Sequence, residues 1–253
     1  MEINKNRITF MGCPVDSLTM NQTLHIIDNA IQSKKQVHHV VVNAAKLVHL
    51  QKDDELKQSV ILSDIINADG QSVVWGAKFL GQYLPERVAG IDLMSKVVEL
   101  AHQKKYKVFL FGAKEEVVLK IIEKYSTEYS PNLIAGYRNG YYHSNEESII
   151  AETIAGSGAD ILFVAITSPK KEIFLNKYKH IITTSFIMGV GGSFDVVSGF
   201  TKRAPLWMQK AGLEWSYRIY QEPRRMWKRY LVTNTLFIYH ILKTKILSQI
   251  SRK

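Results

Sequence analysis

The 253-residue sequence predicts an α/β fold: a parallel sheet with helices on both faces, followed by a basic helical appendage. Three observations lead there. Near-continuous apolar runs such as Lys107–Gly112 (KVFLFG) and Asp160–Ile166 (DILFVAI) alternate with helix-patterned segments, as strands buried on both faces of a parallel sheet do. A chain of this length that is 46% hydrophobic can bury one large core or two small ones. Charge divides the chain sharply. Twelve of the 33 Lys and Arg, but only two of the 23 acids, Glu214 and Glu222, lie from Lys202 onward, so residues 1–201 hold 21 of each sign. The whole net charge of +10 therefore sits in the last fifth.

The elements follow in order. His38–Asn43 (HHVVVN) reads as a buried strand, Ala44–Leu56 as a helix, Ser59–Ile66 as a second strand and Gly70–Leu80 as a helix. Lys107–Gly112 is a strand and Lys114–Tyr125 a helix. Leu133–Tyr137, Asp160–Ile166 and Ser185–Val190 complete the sheet, the first two again followed by helical segments. Beyond Ser198–Lys202, Trp207, Ala211, Trp215 and Ile219 recur at helical spacing, with Pro205 suited to a first turn. Composition thus divides the chain into residues 1–198 and 199–253. All predicted strands precede Lys202, so the body is expected to fold without the tail.

The tail interleaves its cations with Trp207, Trp215, Tyr217, Tyr220, Trp227, Tyr230, Phe237 and Tyr239. That mixture suits an anionic membrane surface, a phosphate-bearing ligand or nucleic acid; a basic helical hairpin packed on its own domain would look the same. The apolar run Leu231–Leu242 is too short to span a bilayer, which takes about 20 residues. No secretory signal follows the polar start. The single cysteine, Cys13, excludes an internal disulfide and suits a reducing compartment. The expected location is cytoplasmic, peripheral on the inner face of the membrane.

Ligands of open parallel sheets bind beyond the carboxyl ends of the strands. Asn43 ends the first strand. Asp69, in Asn67-Ala68-Asp69-Gly70, is the best candidate for a general base, although the same position suits a helix N-cap. Gly189–Asp195 (GVGGSFD) can offer backbone N–H groups to a phosphate through Gly191 and Gly192, or form a tight turn with no ligand. Asp195 either contacts a ligand or caps the next turn. Ser168-Pro169-Lys170-Lys171-Glu172 opens a helix whose N-terminus and lysines make an anion site or an ordinary solvated turn. Arg218 and Arg225 share a face if one helix runs through Pro223, and Arg224, Lys228 and Arg229 add a cluster able to hold a diphosphate or anionic head groups. His38 and His39 point to opposite faces of their strand, and no metal site is expected.

Five blocks carry a resemblance: INADGQSVVWGAKFLG (66–81), ERVAGIDL (86–93), VFLFGAKEE (108–116), ADILFVAITSPKKE (159–172) and the segment from GVGGSFD through RRMWKRY (189–230). In their order, over roughly residues 8–245, the chain resembles the bacterial WecG/TagA/CpsF glycosyltransferases. The resemblance implies a Rossmann-like body with a basic C-terminal appendage that completes the active site. It implies inverting transfer, with no cofactor or metal, from a UDP-sugar to undecaprenyl-diphosphate-linked N-acetylglucosamine on the cytoplasmic leaflet. The donor in the best-known members is UDP-N-acetylmannosamine or its uronic acid, and the products are cell-envelope polysaccharide or teichoic acid.

By the same resemblance Asp69 matches the base, Asn43 and Arg87 pocket residues, Asp195 and its glycines the nucleotide site, and Arg218 and Arg225 arginines that close over the phosphates. Tyr141, Ser168 and Lys171 complete the expected substrate contacts. Two positions depart from the family pattern: Val41 stands where a threonine is usual, and Lys171 replaces the glutamine of SPKQE. Both lie where sugars should bind, so a different hexose, for capsule or exopolysaccharide, is an alternative. Lys171 either faces an acidic sugar or points into solvent. A non-catalytic nucleotide- or nucleic-acid-binding module is the alternative of another class. The neutral body speaks against it, and no nucleic-acid partner is expected. The sequence leaves a homo-oligomer open.

Overall fold

The structure, a computed structural model, describes residues 6–250. An antiparallel hairpin of β1 (Arg7–Phe10) and β2 (Cys13–Asp16) leads into α1 (Met20–Gln32), where Thr19 and Gln22 form a capping box. Then come β3 (Val37–Val42), α2 (Ala44–His49), α3 (Asp54–Ile61), β4 (Ile65–Ala68), α4 (Gln71–Phe79), α5 (Gly90–Lys104), β5 (Val108–Gly112) and α6 (Glu115–Glu128). β6 (Ile134–Arg138), α7 (Glu147–Gly156), β7 (Ile161–Ala165), α8 (Lys170–Tyr178), β8 (Phe186–Gly189) and α9 (Ser193–Val197) finish the body. The tail forms α10 (Leu206–Lys210), α11 (Glu214–Gln221) and α12 (Pro223–Ile250).

The sheet is six-stranded and parallel, in the order β4-β3-β8-β7-β5-β6. Alternate residues of its apolar strands enter separate cores, which is why the runs are continuously hydrophobic. Leu110 and Phe163 pack with α1, α5 and α6, whereas Phe109, Phe111 and Val164 pack with α7 and α8. Val40, Val42 and Ile66 meet α2, α3 and the hairpin in a third cluster. Buried Asp16 fastens the hairpin to the sheet edge, pairing with Arg7 at 2.7 Å and accepting the Ile66 N–H at 2.7 Å.

Several sequence expectations need correction. The helix expected over Ala44–Leu56 is two, because Asp53 accepts the Leu56 N–H at 2.9 Å and caps a new helix with Asp54 and Glu55 in its first turn. That helix takes the first three residues of the strand expected over Ser59–Ile66, and β4 begins only at Ile65. The run from Trp207 to Ile219 is not one helix. It breaks at Gly212, whose φ of +67° ends α10, and Pro205 precedes that helix rather than lying in it. Arg218 and Arg225 lie on different helices, since Glu222 (φ −131°, ψ 64°) separates α11 from α12. The hairpin, α1 and α5 have no counterpart among the sequence-predicted elements.

The tail is also less separable than its charge suggests. Met226, Thr233, Phe237 and Ile241, spaced by seven and four residues, form one buried stripe of α12. Phe237 lies 6.1 Å, centroid to centroid, from Phe10, and Ile241 lies where a Cβ on Gly76 would be, so the body's third core closes only with α12 in place.

Candidate active site

Asp69 follows β4 directly, and its backbone N–H donates to Val42 O at 2.9 Å. It does not cap α4: Gly70 occupies that position without a side-chain bond. Instead Asp69 Oδ1 accepts the N–H of Gly90, the first residue of α5, at 2.9 Å. Oδ2 meets no protein donor among the described residues. Burial raises the carboxyl above the usual range; the Gly90 bond opposes this, nearby Glu214 adds to it, and Arg218 and Arg87 work against it. A half-buried carboxylate with raised proton affinity and one open oxygen can take a proton from a hydroxyl.

The neighbouring strand end belongs to Asn43, whose Oδ1 accepts the Lys46 N–H at 3.0 Å and caps α2. Its Cβ lies 3.6 Å from where a Cβ on Gly70 would stand, so Asn43 and the Asp69 loop share one corner. Val41 faces the same corner, its methyl carbons 3.5 and 3.7 Å from the Cβ position of Gly90. The departure from threonine therefore puts an apolar wall beside the N–H that holds Asp69.

Arg87 pairs with Glu214 at the start of α11. Arg203 grips Asp92, in the first turn of α5, through both Nη atoms at 2.5 and 2.8 Å, and its Nε lies 3.8 Å from Glu214. The turn that delivers Glu214 is itself seated on α4, because at Gly212 a Cβ would meet Trp75 at 3.0 Å and Gln71 at 3.1 Å. Sequence reasoning missed Gly90, Asp92, Arg203 and Glu214. A signal for Glu214 was present, as one of two acids in an otherwise cationic segment.

A second carboxylate, Asp195, sits in α9 beyond β8 rather than capping it, since Gly192 is the cap. Gly191 takes a φ of +54°, which turns the loop sharply into α9. Burial raises Asp195 too, but here Arg225 is the strongest opposing charge, with Lys114 and Arg218 further on and Glu222 acting the other way. Arg218 and Arg225 thus converge electrostatically on Asp195 although their helices differ.

Lys171 is neither in solvent nor beside an open anion site. It is 5% exposed, its side chain runs through the space a Cβ on Gly189 would take, and its Nζ lies 3.4 Å from Glu172 Oε1. The same oxygen receives Lys46 at 2.8 Å. Burial, then Lys46, pulls the Lys171 ammonium down to about 8 against the attraction of Glu172. Burial alone would raise Glu172, yet Lys46 and then Lys171 hold it at about 2. The anion site expected at the start of α8 is therefore closed on its inner side by this triad; Ser168 and Lys170 remain exposed, and Lys170 Nζ stacks on Tyr142 at 3.8 Å.

Tyr141 lies apart. It is exposed beyond β6, at the far edge of the sheet, so five strand spacings, about 24 Å, separate the end of its strand from that of β4. Arg224, Lys228 and Arg229 are exposed on α12, beside Trp227 and Leu231. No helix among the described residues is long and apolar enough to cross a membrane. His38 and His39 take separate partners, Ser63 at 3.5 Å and Asn67 at 2.9 Å.

Residues 8–251 match the model of the glycosyl transferase WecG/TagA/CpsF family. An N-acetylglucosaminyldiphosphoundecaprenol N-acetyl-beta-D-mannosaminyltransferase from Bacillus subtilis (strain 168) is 39% identical over 180 residues, 71% of this chain and 69% of its own. A protein of the same name from Bacillus spizizenii (strain ATCC 23059 / NRRL B-14472 / W23) is 35% identical over 217 residues, 86% of this chain and 83% of its own.

Proposed function

The chain belongs to the WecG/TagA/CpsF family of glycosyltransferases, and from that premise we propose that it is an inverting, UDP-sugar-dependent hexosyltransferase. Its acceptor is undecaprenyl-diphosphate-linked N-acetylglucosamine, and the sugar it moves is N-acetylmannosamine or its uronic acid, for teichoic acid or another cell-envelope polysaccharide. One observation supports this most: a desolvated carboxylate, Asp69, keeps an open oxygen at a strand end over which a basic appendage is docked. The acceptor hydroxyl attacks C1 of the donor sugar, its proton passes to Asp69 Oδ2, the bond from C1 to the diphosphate oxygen breaks, and UDP leaves. Asn43 and Arg87 stand beside the base. Lys114, Arg218 and Arg225, whose charges act on Asp195, supply the positive charge that the departing diphosphate needs.

On this reading residues 1–198 are the catalytic body. Residues 199–253 are the membrane-associating appendage that completes the site. Exposed Trp227, Leu231, Ile238 and Leu242, next to Arg224, Lys228 and Arg229, suit a peripheral seat on the anionic inner face of the membrane. UDP release, measured over a panel of UDP-sugars with a short-chain lipid-diphosphate-N-acetylglucosamine acceptor, tests the assignment. Turnover with UDP-N-acetylmannosamine or its uronic acid that depends on the acceptor supports it. Turnover with another UDP-hexose alone redirects the donor, and no acceptor-dependent release from any donor ends the reading.

A further inference from the structure

The most basic part of the chain sends an acid to the place where the body holds its candidate base. Glu214 pairs with Arg87 and approaches Arg203; Arg203 grips Asp92; Asp92 stands in the first turn of α5; and the first N–H of that turn holds Asp69 Oδ1. Ion pairs, the backbone of the first turn of α5 and one hydrogen bond therefore join the appendage to the base in sequence. We propose that Glu214 is a positioning residue for the transfer reaction: by engaging Arg87 and Arg203 it fixes the first turn of α5, and through it the Asp69 carboxylate, when the appendage is docked. The proposal rests on the reading of Asp69 as the base.

Three features separate this contact from an ordinary surface ion pair. Its members are partly buried, with side-chain exposures of 15% for Arg87, 30% for Glu214 and 28% for Arg203, so water screens them less than an exposed pair. Gly212, two residues upstream, is held against Trp75 and Gln71, so the carboxylate is delivered by a seated turn and not by a free chain. The tail's other acid, Glu222, is engaged by its neighbour Arg225 at 2.7 Å, which leaves Glu214 as the tail's acid at this end of the site.

The charged groups acting on Asp69 come from every side: Arg87 from the segment before α5, Arg203 from the segment before α10, Glu214 and Arg218 from α11, and Lys171 from α8. Four are cations. Glu214 is the acid among them, and it strengthens the hold of Asp69 on a proton while neutralising Arg87.

The test uses the full chain, a water-soluble short-chain acceptor, and kcat and KM measured against pH for wild type, Glu214→Gln, Glu214→Asp and Asp69→Asn. Glu214→Gln is expected to lower kcat about tenfold or more, with a smaller change in KM, as misplacement of a general base should. It should also move the acidic limb of the kcat profile to lower pH. Losing a negative neighbour and freeing two arginines makes Asp69 a weaker base. Glu214→Asp should return part of both effects. A wild-type kcat, or a lower kcat with the limb unmoved, overturns the proposal. Should Glu214→Gln fail to fold, Arg203→Lys keeps the charge but loses the fork on Asp92. It is expected to lower kcat, and wild-type turnover there counts equally against the idea. Asp69→Asn separates the two levels: if it turns over normally the base assignment itself is wrong, whereas an inactive Asp69→Asn beside a fully active Glu214→Gln removes only Glu214.

Discussion

Two carboxylates stand at strand ends of one sheet, and the same tail treats them differently. Asp69 and Asp195 are both lifted by burial. The strongest neighbouring charge at Asp69 is an acid, Glu214, whereas at Asp195 it is Arg225, followed by the opposing acid Glu222 and then by Lys114 and Arg218. One end is thereby suited to receiving a proton and the other to holding phosphates beside a compensated acid. The role of a buried carboxylate follows less from its own burial than from the sign of what the neighbouring segment brings to it.

Removing the tail from Lys202 onward would break the comparison altogether, and it carries the largest expected effect. It takes away Glu214 and both arginines together, and it uncovers Phe10 and Gly76. Phe237→Ala alone should cost about 3–5 kcal/mol in denaturant unfolding, a large part of a typical domain stability of about 5–15 kcal/mol. A truncated body that melts like the full chain would show that α12 is an accessory after all.

Asp69→Asn sharpens the first half. Turnover should drop ~10²-fold or more while UDP binding stays. The native carboxyl is raised, so at neutral pH the folded chain carries a charge that it holds at a cost, which shrinks as pH falls below the raised value and is gone below the ordinary one; the Asn variant should therefore melt at the same temperature or higher near pH 7. A clear loss of stability would mean that the Gly90 bond is chiefly structural.

Asp195→Ala probes the second half. UDP affinity should weaken about tenfold, as for one charge-assisted contact, with kcat at saturation and the ligand-free melting temperature little changed. Unaltered UDP titrations would take Asp195 out of the site.

The smallest effect is expected at Lys171. Its ammonium is held at about 8 in the folded chain against an ordinary 10.5. The unfolded chain binds more protons between those values, so this group makes stability rise from pH 8 to 10.5. Lys171→Gln should flatten that part of a melting-temperature profile and, because the ammonium is closed off against Glu172 and Gly189, should leave the ratio of turnover between uronic and neutral UDP-sugars unchanged. An unchanged slope would place the ammonium outside the Lys46–Glu172 triad.

The parallel sheet was legible because its strands are buried on both sides, which writes them as unbroken runs such as VFLFG. Asp69, Asn43 and Asp195 stood out as candidates because they are polar residues just beyond such runs, where a parallel sheet opens its crevice, and the tail arginines because they concentrate charge in one segment. Where local signals compete, sequence reading failed: Asp53, a short-range cap, outweighed the apolar run beginning at Ser59, and Gly212 ended a pattern that spacing alone extends to Ile219.

Periodicity and charge, properties of neighbouring residues, determined the α/β body, the basic tail and the strand-end candidates. Contacts between residues far apart in the chain were decided only by the tertiary structure. Spacing carries no sign that Ile241 fills the room left by Gly76, that Lys171 is buried against Gly189, or that Glu214 crosses 127 residues to reach Arg87. Such contacts depend on how helices are placed on a sheet, and local sequence constrains that placement only weakly.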